Sequence, residues 1–226
     1  MNVLQRALLA LNPRQRIRAA FTQLYSSRGW LEPESVSGPG STLRRTGVIR
    51  RKLPALFRDL HVRSVLDAGC GDFNWFQAME LELELDRYVG VEVVEELAAI
   101  NRERHGTDRR RFVSLDVTRD DLPRVDLVLC RDCLVHLKNG QVRAALENFR
   151  RSGSAYLLAT TFTGDHPNAE APLGGWRPLN LERVPFRLGP PLRLISERES
   201  VEDTRYLDKS LGLWSLQAPP GSGALR

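Results

Sequence analysis

The chain has 226 residues, 42% apolar and 27% charged, enough to bury one substantial α/β core and carry an extension besides. No apolar run approaches the roughly 18 residues that a membrane-spanning helix needs. Three cysteines, Cys70, Cys130 and Cys133, are too few for a disulfide framework and point to a reducing, cytoplasmic setting. The net charge of +5 is unevenly placed: residues 1–63 hold 12 Arg/Lys against three acids, and the remainder is mildly acidic.

The Arg-rich start, MNVLQRALLALNPRQRIRAAFTQLY, reads as a packed helix with Ile17, Phe21 and Leu24 on one face, or as a transit peptide. SVSGPGST follows as a turn or loop, and Thr46–Phe57 shows helical spacing, with Pro54 limiting its regularity. Five short apolar runs then alternate with helical patterns: VRSVLDAG, YVGVE, RFVSLDV, VDLVLCRD and SAYLLATTF, with helices at Glu95–His105 and Gln141–Arg151. That alternation predicts βαβ units and a parallel sheet. Residues 163–191 hold six prolines and no period, so they are expected to form a long ordered loop or lid. LRLISE and LGLWSLQ read as an antiparallel strand pair. The expected organisation is a basic helical extension over residues 1–60 and an α/β domain over 61–219.

The chemistry concentrates in Ser64–Phe76, SVLDAGCGDFNWF. In an open α/β sheet, ligands bind beyond the carboxyl ends of the strands, where this stretch places Asp67, Gly69 and Gly71. Glycine permits a sharp turn and a close backbone approach. Glu92, 23 residues after Gly69, ends the second strand, where an acid can accept hydrogen bonds from both hydroxyls of a ribose. A dinucleotide usually calls for G-x-G-x-x-G, but Asn74 stands where the third glycine would fall, and Asp67 and Asp72 would repel a pyrophosphate. A sulfonium ligand, S-adenosylmethionine, suits those carboxylates better. Asp116 follows the third strand, where it can accept from an adenine amino group while Val117 packs on the ring. Asp132 and His136 leave the fourth strand near the transferred methyl.

DAGCG, the acid ending YVGVE, the LDVT acid and DLVLCRDCLVHL resemble, in that order, the motifs of class I (Rossmann-like) S-adenosylmethionine-dependent methyltransferases. The resemblance covers residues 44–216. It is nearest a group of small bacterial methyltransferases of poorly defined substrate, through Gly71–Trp75, Cys130–Leu137, Trp176–Leu181 and Asp208–Trp214. It implies a doubly wound, mostly parallel seven-stranded sheet with an antiparallel C-terminal hairpin and helices on both faces. It also implies a cofactor site of Asp67, Ala68, Gly69, Gly71, Trp75, Glu92, Val93, Asp116, Val117 and Arg131. Asp132 and His136 are the expected catalytic pair, and Trp176, Arg177 and Asn180 the acceptor contacts. Glu92 departs from the family's more usual aspartate; either carboxylate can hold a ribose.

Other readings stand beside these. Asp67 also fits a helix cap, Arg131–Asp132 a surface ion pair, His136 a half-buried structural histidine, and the tryptophans anchors of the lid. Asp165 and His166 form a second, weaker catalytic pair. Cys130-x-x-Cys133 with His136 and Cys70 is read as structural cysteines and no metal site. The absence of an Asn-Pro-Pro-aromatic motif favours an oxygen acceptor on a small molecule or sugar. The clustered arginines keep RNA as an alternative substrate. A non-catalytic binding module of the same fold and a nicotinamide oxidoreductase are further alternatives.

Overall fold

The computed structural model describes residues 13–30, 32–80, 82–198 and 204–217. The first twelve residues of the expected N-terminal helix lie outside that set. Helices α1 (Pro13–Ser26) and α2 (Gly47–Asp59) precede the sheet. Then come β1 (Ser64–Ala68), α3 (Asn74–Glu80), β2 (Arg87–Glu92), α4 (Glu95–His105), β3 (Arg110–Ser114) and β4 (Leu127–Cys130). A 3₁₀ turn (Leu134–His136), α5 (Asn139–Arg151), β5 (Tyr156–Phe162), β6 (Arg193–Ser196) and β7 (Lys209–Ser215) complete the order.

The sheet runs β3-β2-β1-β4-β5-β7-β6. Neighbours pair in parallel as far as β5, and β7 runs antiparallel to both β5 and β6. This is the mostly parallel seven-stranded sheet that the family resemblance implied, with the parallel strands and the reversed C-terminal pair that the apolar runs predicted. The strand order reverses between β1 and β4, which opens a crevice beyond their carboxyl ends. Because both faces are covered, the central strands are apolar on both sides, and every residue of β4 is buried. Val65 faces one core with Leu53 and Phe57 of α2; Leu66 faces the other with Val142 and Phe149 of α5. Each such side chain contributes about 1.5–3 kcal/mol by leaving water. Residues 47–59, on the N-terminal side of the expected boundary at residue 60, therefore share the core of the sheet. Pro54 sits buried inside an unbroken α2, its lost hydrogen bond offset by packing beside Leu53 and Phe57.

The glycine turn is clamped from below. Phe73 adopts φ +62, a conformation unfavourable for a bulky residue. Its ring is fully buried, 5.0 Å from Tyr88 and 5.1 Å from Phe112 between centroids, and that packing holds the backbone there. Helix α1 is tied to the sheet edge by Arg18, which donates to the Val93 carbonyl (2.8 Å) and to Ser114 Oγ (2.5 Å). Among the described residues, no helix is long and apolar enough to cross a membrane.

Candidate active site

A cavity of about 440 Å³ opens at the carboxyl ends of β1, β2 and β4. Its floor includes Gly69 and Gly71, at φ +83 and +56. Neither tolerates a side chain: a Cβ on Gly69 would lie 2.9 Å from Cys133 Sγ, and one on Gly71 would lie 2.1 Å from Ser37 Oγ. Glu92 closes one wall. Its Oε2 accepts from the Gly71 amide (3.2 Å) and its Oε1 from the Val94 amide (3.0 Å). Burial pushes its pKa up against those amide bonds. No ion pair reaches it among the described residues, so its remaining lone pairs call for donors from the cavity. Asp116, further along, accepts from the Thr118 amide (2.9 Å) and hydroxyl (2.6 Å) and pairs with Arg119 at 2.9 Å. Val93, Leu97, Leu115 and Val117 make the wall between these acids apolar.

Three of the expected cofactor residues stand behind this wall. Asp67 is 3% exposed and accepts from the Tyr88 hydroxyl at 2.8 Å. Burial pushes its pKa up to about 7, with the Tyr88 bond pulling the other way. Ala68 is enclosed in the sheet, and Trp75 is buried with its ring 5.5 Å beneath the Arg131 guanidinium. None of the three lines the cavity. An acid at the end of β1 is turned inward by the pleat, which sets Asp67 against β2 instead of the ligand space.

The other end of the cavity carries Asp132, His136 and two residues that strand patterns leave out of sight, Lys209 and Trp30. Asp132 sits at φ +52 just beyond β4, held by its own amide to Thr160 Oγ1 (2.8 Å) and by Lys209 Nζ on Oδ2 (2.5 Å). Burial raises its pKa, but Lys209 and then Arg131 outweigh burial and hold the carboxyl well below the usual range. Arg131, at the cavity wall, is buried with Nη2 2.7 Å from Glu197 Oε2 and Nη1 donating to the Gly40 carbonyl at 2.8 Å. Its pair with Asp132, at 3.3 Å, is likewise interior and not a surface ion pair. Burial lowers the pKa of His136, with Asp132 opposing, so the imidazole is neutral at pH 7. Its Nδ1 is enclosed without a partner among the described residues, and its ring meets Trp30 at 5.6 Å and Phe21 at 6.5 Å.

The roof comes from the N-terminal segment. Ile17, Phe21, Tyr25, Trp30 and residues 36–41 all line the cavity. Asp72, in the glycine turn, accepts from Ser35 Oγ (3.0 Å), the Val36 amide (2.9 Å) and Ser37 Oγ (3.1 Å). Asn74 donates to Glu34 (2.9 Å) and to the Ser41 carbonyl (3.1 Å). The acid and amide of GDFN thus latch a loop onto the turn, a role visible in sequence only as two polar residues facing a Gly-Pro-Gly segment.

The 163–191 segment contributes one cavity residue, Trp176. Arg177 and Asn180, expected at the acceptor, do not line the cavity. Arg177 donates to the Leu137 carbonyl and to Asn139 Oδ1 (2.7 Å), and the Asn180 side chain accepts from the Glu182 amide (3.0 Å) and donates to the Gly164 carbonyl (3.4 Å). Both brace backbone that no helix or strand satisfies. Asp165 is exposed and pairs with Arg183, while His166 bonds Asp208 at 3.1 Å, so the two do not form a pair. No group of metal-ligating residues occurs among the described residues, and all three cysteines are free.

The doubly wound order, the reversed seventh strand and a ligand cavity at the switch point define the class I, Rossmann-like methyltransferase fold. Residues 66–153, from β1 to just past the end of α5, match the family model described as "Methyltransferase domain". Among solved structures, 1,6-didemethyltoxoflavin-N1-methyltransferase of Burkholderia thailandensis is similar over 95% of this chain and 91% of its own, at 19% identity and TM-score 0.59. Magnesium protoporphyrin IX methyltransferase of Synechocystis PCC 6803 is similar over 95% and 99%, at 14% identity and TM-score 0.59. Human N-acetylserotonin methyltransferase is similar over 93% and 64%, at 13% identity and TM-score 0.58. The first was solved with bound S-adenosylhomocysteine and the other two with S-adenosylmethionine. No curated protein sequence matches the chain.

Proposed function

We propose that the protein is an S-adenosylmethionine-dependent methyltransferase acting on an oxygen of a small acceptor, with residues 17–30 and 36–41 roofing the cofactor cavity. The observation that carries this reading is Glu92, a buried carboxylate on the cavity wall with amide partners and no cation among the described residues. Vicinal ribose hydroxyls supply the donors it calls for. A pyrophosphate would meet Glu92 and Asp116 instead of amide groups alone, which argues against a dinucleotide. The apolar stretch through Val93 and Val117 suits an adenine ring, and Gly69 and Gly71 leave room for the amino-acid end. S-adenosylmethionine supplies a methyl group carried on a sulfonium sulfur.

The chain's own residues then position the acceptor and handle its proton. Phe21, Trp30 and Trp176 exclude water from the far end of the cavity. His136, neutral at pH 7, accepts the proton of an acceptor hydroxyl, and the charged Asp132 beside it stabilises the resulting imidazolium. The roof over the cavity supports a small acceptor over RNA.

Titration calorimetry with S-adenosylmethionine and with NADH tests the cofactor. Saturable binding of the first, with a raised Tm, and none of the second is expected. The reverse pattern would make the protein an oxidoreductase. Incubation with methyl-labelled cofactor and fractionated cell extract tests the acceptor. Label appearing in RNA overturns the small-acceptor reading, and cofactor binding with no label transferred to any fraction leaves a non-catalytic binding module.

A further inference from the structure

Resting on the methyltransferase reading, we infer that the acceptor is a planar aromatic compound with an acidic hydroxyl, its oxygen held by Lys209 and its ring between Trp30 and Trp176. The first observation is a charge that a methyl-donor site does not need. Lys209 lines the cavity with 13% of its side chain exposed, although the donor this cavity receives is itself cationic. Its ammonium has three donors. One goes to Asp132 Oδ2 at 2.5 Å, and Glu197 Oε2 lies at 3.8 Å, beyond hydrogen-bonding distance. Glu197 Oε2 already accepts from Arg131 Nη2 and Nε, at 2.7 and 3.3 Å. Arg131 has no such freedom: its groups are held by Glu197, the Gly40 carbonyl and the Trp75 face. Lys209 is therefore the cavity cation with a donor to offer, and an acceptor oxyanion fits it.

That charge separates acceptor classes. A phenolic hydroxyl has a pKa of about 10, as in tyrosine, close enough for an ammonium contact to favour its anion near neutral pH. Sugar and aliphatic hydroxyls are far weaker acids. The aromatic walls agree. Phe21, Trp30 and His136 form one group of touching rings, and Phe162, Trp176 and Tyr206 form another. No ring contact among the described residues joins the two groups, and Trp30 and Trp176 both border the cavity. Trp176 touches Phe162 and Tyr206 yet remains 44% exposed. Tryptophan faces also stack on sugars, so the rings restrict the acceptor to a flat body and Lys209 makes it acidic.

In the transfer, the acceptor O–H proton passes to His136 and the oxygen bonds to the methyl carbon. The carbon–sulfur bond breaks with its electron pair left on sulfur, and His136 returns the proton to water after the product leaves. The test uses the full chain loaded with S-adenosylhomocysteine, titrated with catechol, 4-nitrophenol, 3,4-dihydroxybenzoate, cyclohexanol and glucose. Methyl-labelled S-adenosylmethionine then measures transfer to each. Phenols are expected to bind and be methylated, and cyclohexanol and glucose are not. Lys209→Met should weaken phenol binding at least tenfold, Lys209→Arg less, and Trp176→Ala severalfold in KM, all with cofactor affinity within about twofold of wild type. Cyclohexanol or glucose equalling the phenols overturns the inference, as does cofactor-loaded protein that binds no phenol. Wild-type affinity for phenols in Lys209→Met overturns it too. Failure of the wild-type chain to bind S-adenosylmethionine sinks the underlying methyltransferase reading instead.

Discussion

The floor and the roof of the cavity are built by different means. The floor is made of strand ends and one turn: Gly69, Gly71 and Glu92 lie where parallel strands deliver them, over an aromatic cluster in the core. The roof is made of α1 and the 32–43 segment, which reach the site through side-chain hydrogen bonds to Asp72 and Asn74, and through Arg131 holding Gly40. A floor carried by the sheet opens only with the whole fold, whereas a roof held by a few polar contacts can open locally. The difference gives the floor the task of recognising the cofactor and the roof that of closing over it.

The largest expected effect tests whether the floor is electrostatically costly. Asp67 has a pKa near 7 in the folded chain, against 3.8 for the unperturbed group. Between those values the folded state keeps a proton that the unfolded state has lost, so stability falls as pH rises from about 4 to about 7. Asp67→Asn keeps an acceptor for Tyr88 and should remove on the order of 4 kcal/mol of that decline, read from urea unfolding at pH 4 and pH 8. Equal pH dependence in the two proteins would show that Asp67 is charged in the fold. Next, Glu92→Gln should weaken S-adenosylmethionine binding about 10- to 100-fold in calorimetry, since it removes charge-assisted acceptance. Unchanged affinity would move recognition away from the floor.

Asp72→Ala probes the roof. Losing three hydrogen bonds to the 35–37 loop should cost roughly tenfold in cofactor affinity and speed amide exchange across 34–43, leaving global unfolding little changed. If exchange stays slow, the latch lies elsewhere. The smallest effect belongs to a residue outside both regions. Asp165→Ala removes an exposed pair with Arg183 and should alter neither Tm nor methyl transfer. A loss of turnover there would return the proline-rich segment to the catalytic machinery.

Much of the architecture was legible because its signals are local. Runs such as YVGV and LVLC are apolar throughout because parallel strands are covered on both faces, and the glycines and acids at their ends fall at the ligand edge by the same arithmetic. Asp67 shows where that arithmetic fails. Its place at a strand end was readable, but the pleat decides which way the side chain faces, and here it faces Tyr88. Arg177 and Asn180 stand in a memorable stretch near the site, yet their side chains bond to loop backbone, and no periodicity exists in that segment to reveal it.

The amino-acid order alone settled the alternation of strands and helices, the reversed C-terminal pair and the carboxylate-and-glycine chemistry at the sheet edge, because each depends on residues within one short segment. Only the tertiary structure decided that residues 17–30 and 36–41 roof the cavity and that Lys209 meets Asp132. Those contacts join positions dozens of residues apart, 35 for Ser37 with Asp72 and 77 for Asp132 with Lys209. Their pairing follows from how the chain closes over the sheet, and no local pattern of charge or hydrophobicity encodes it.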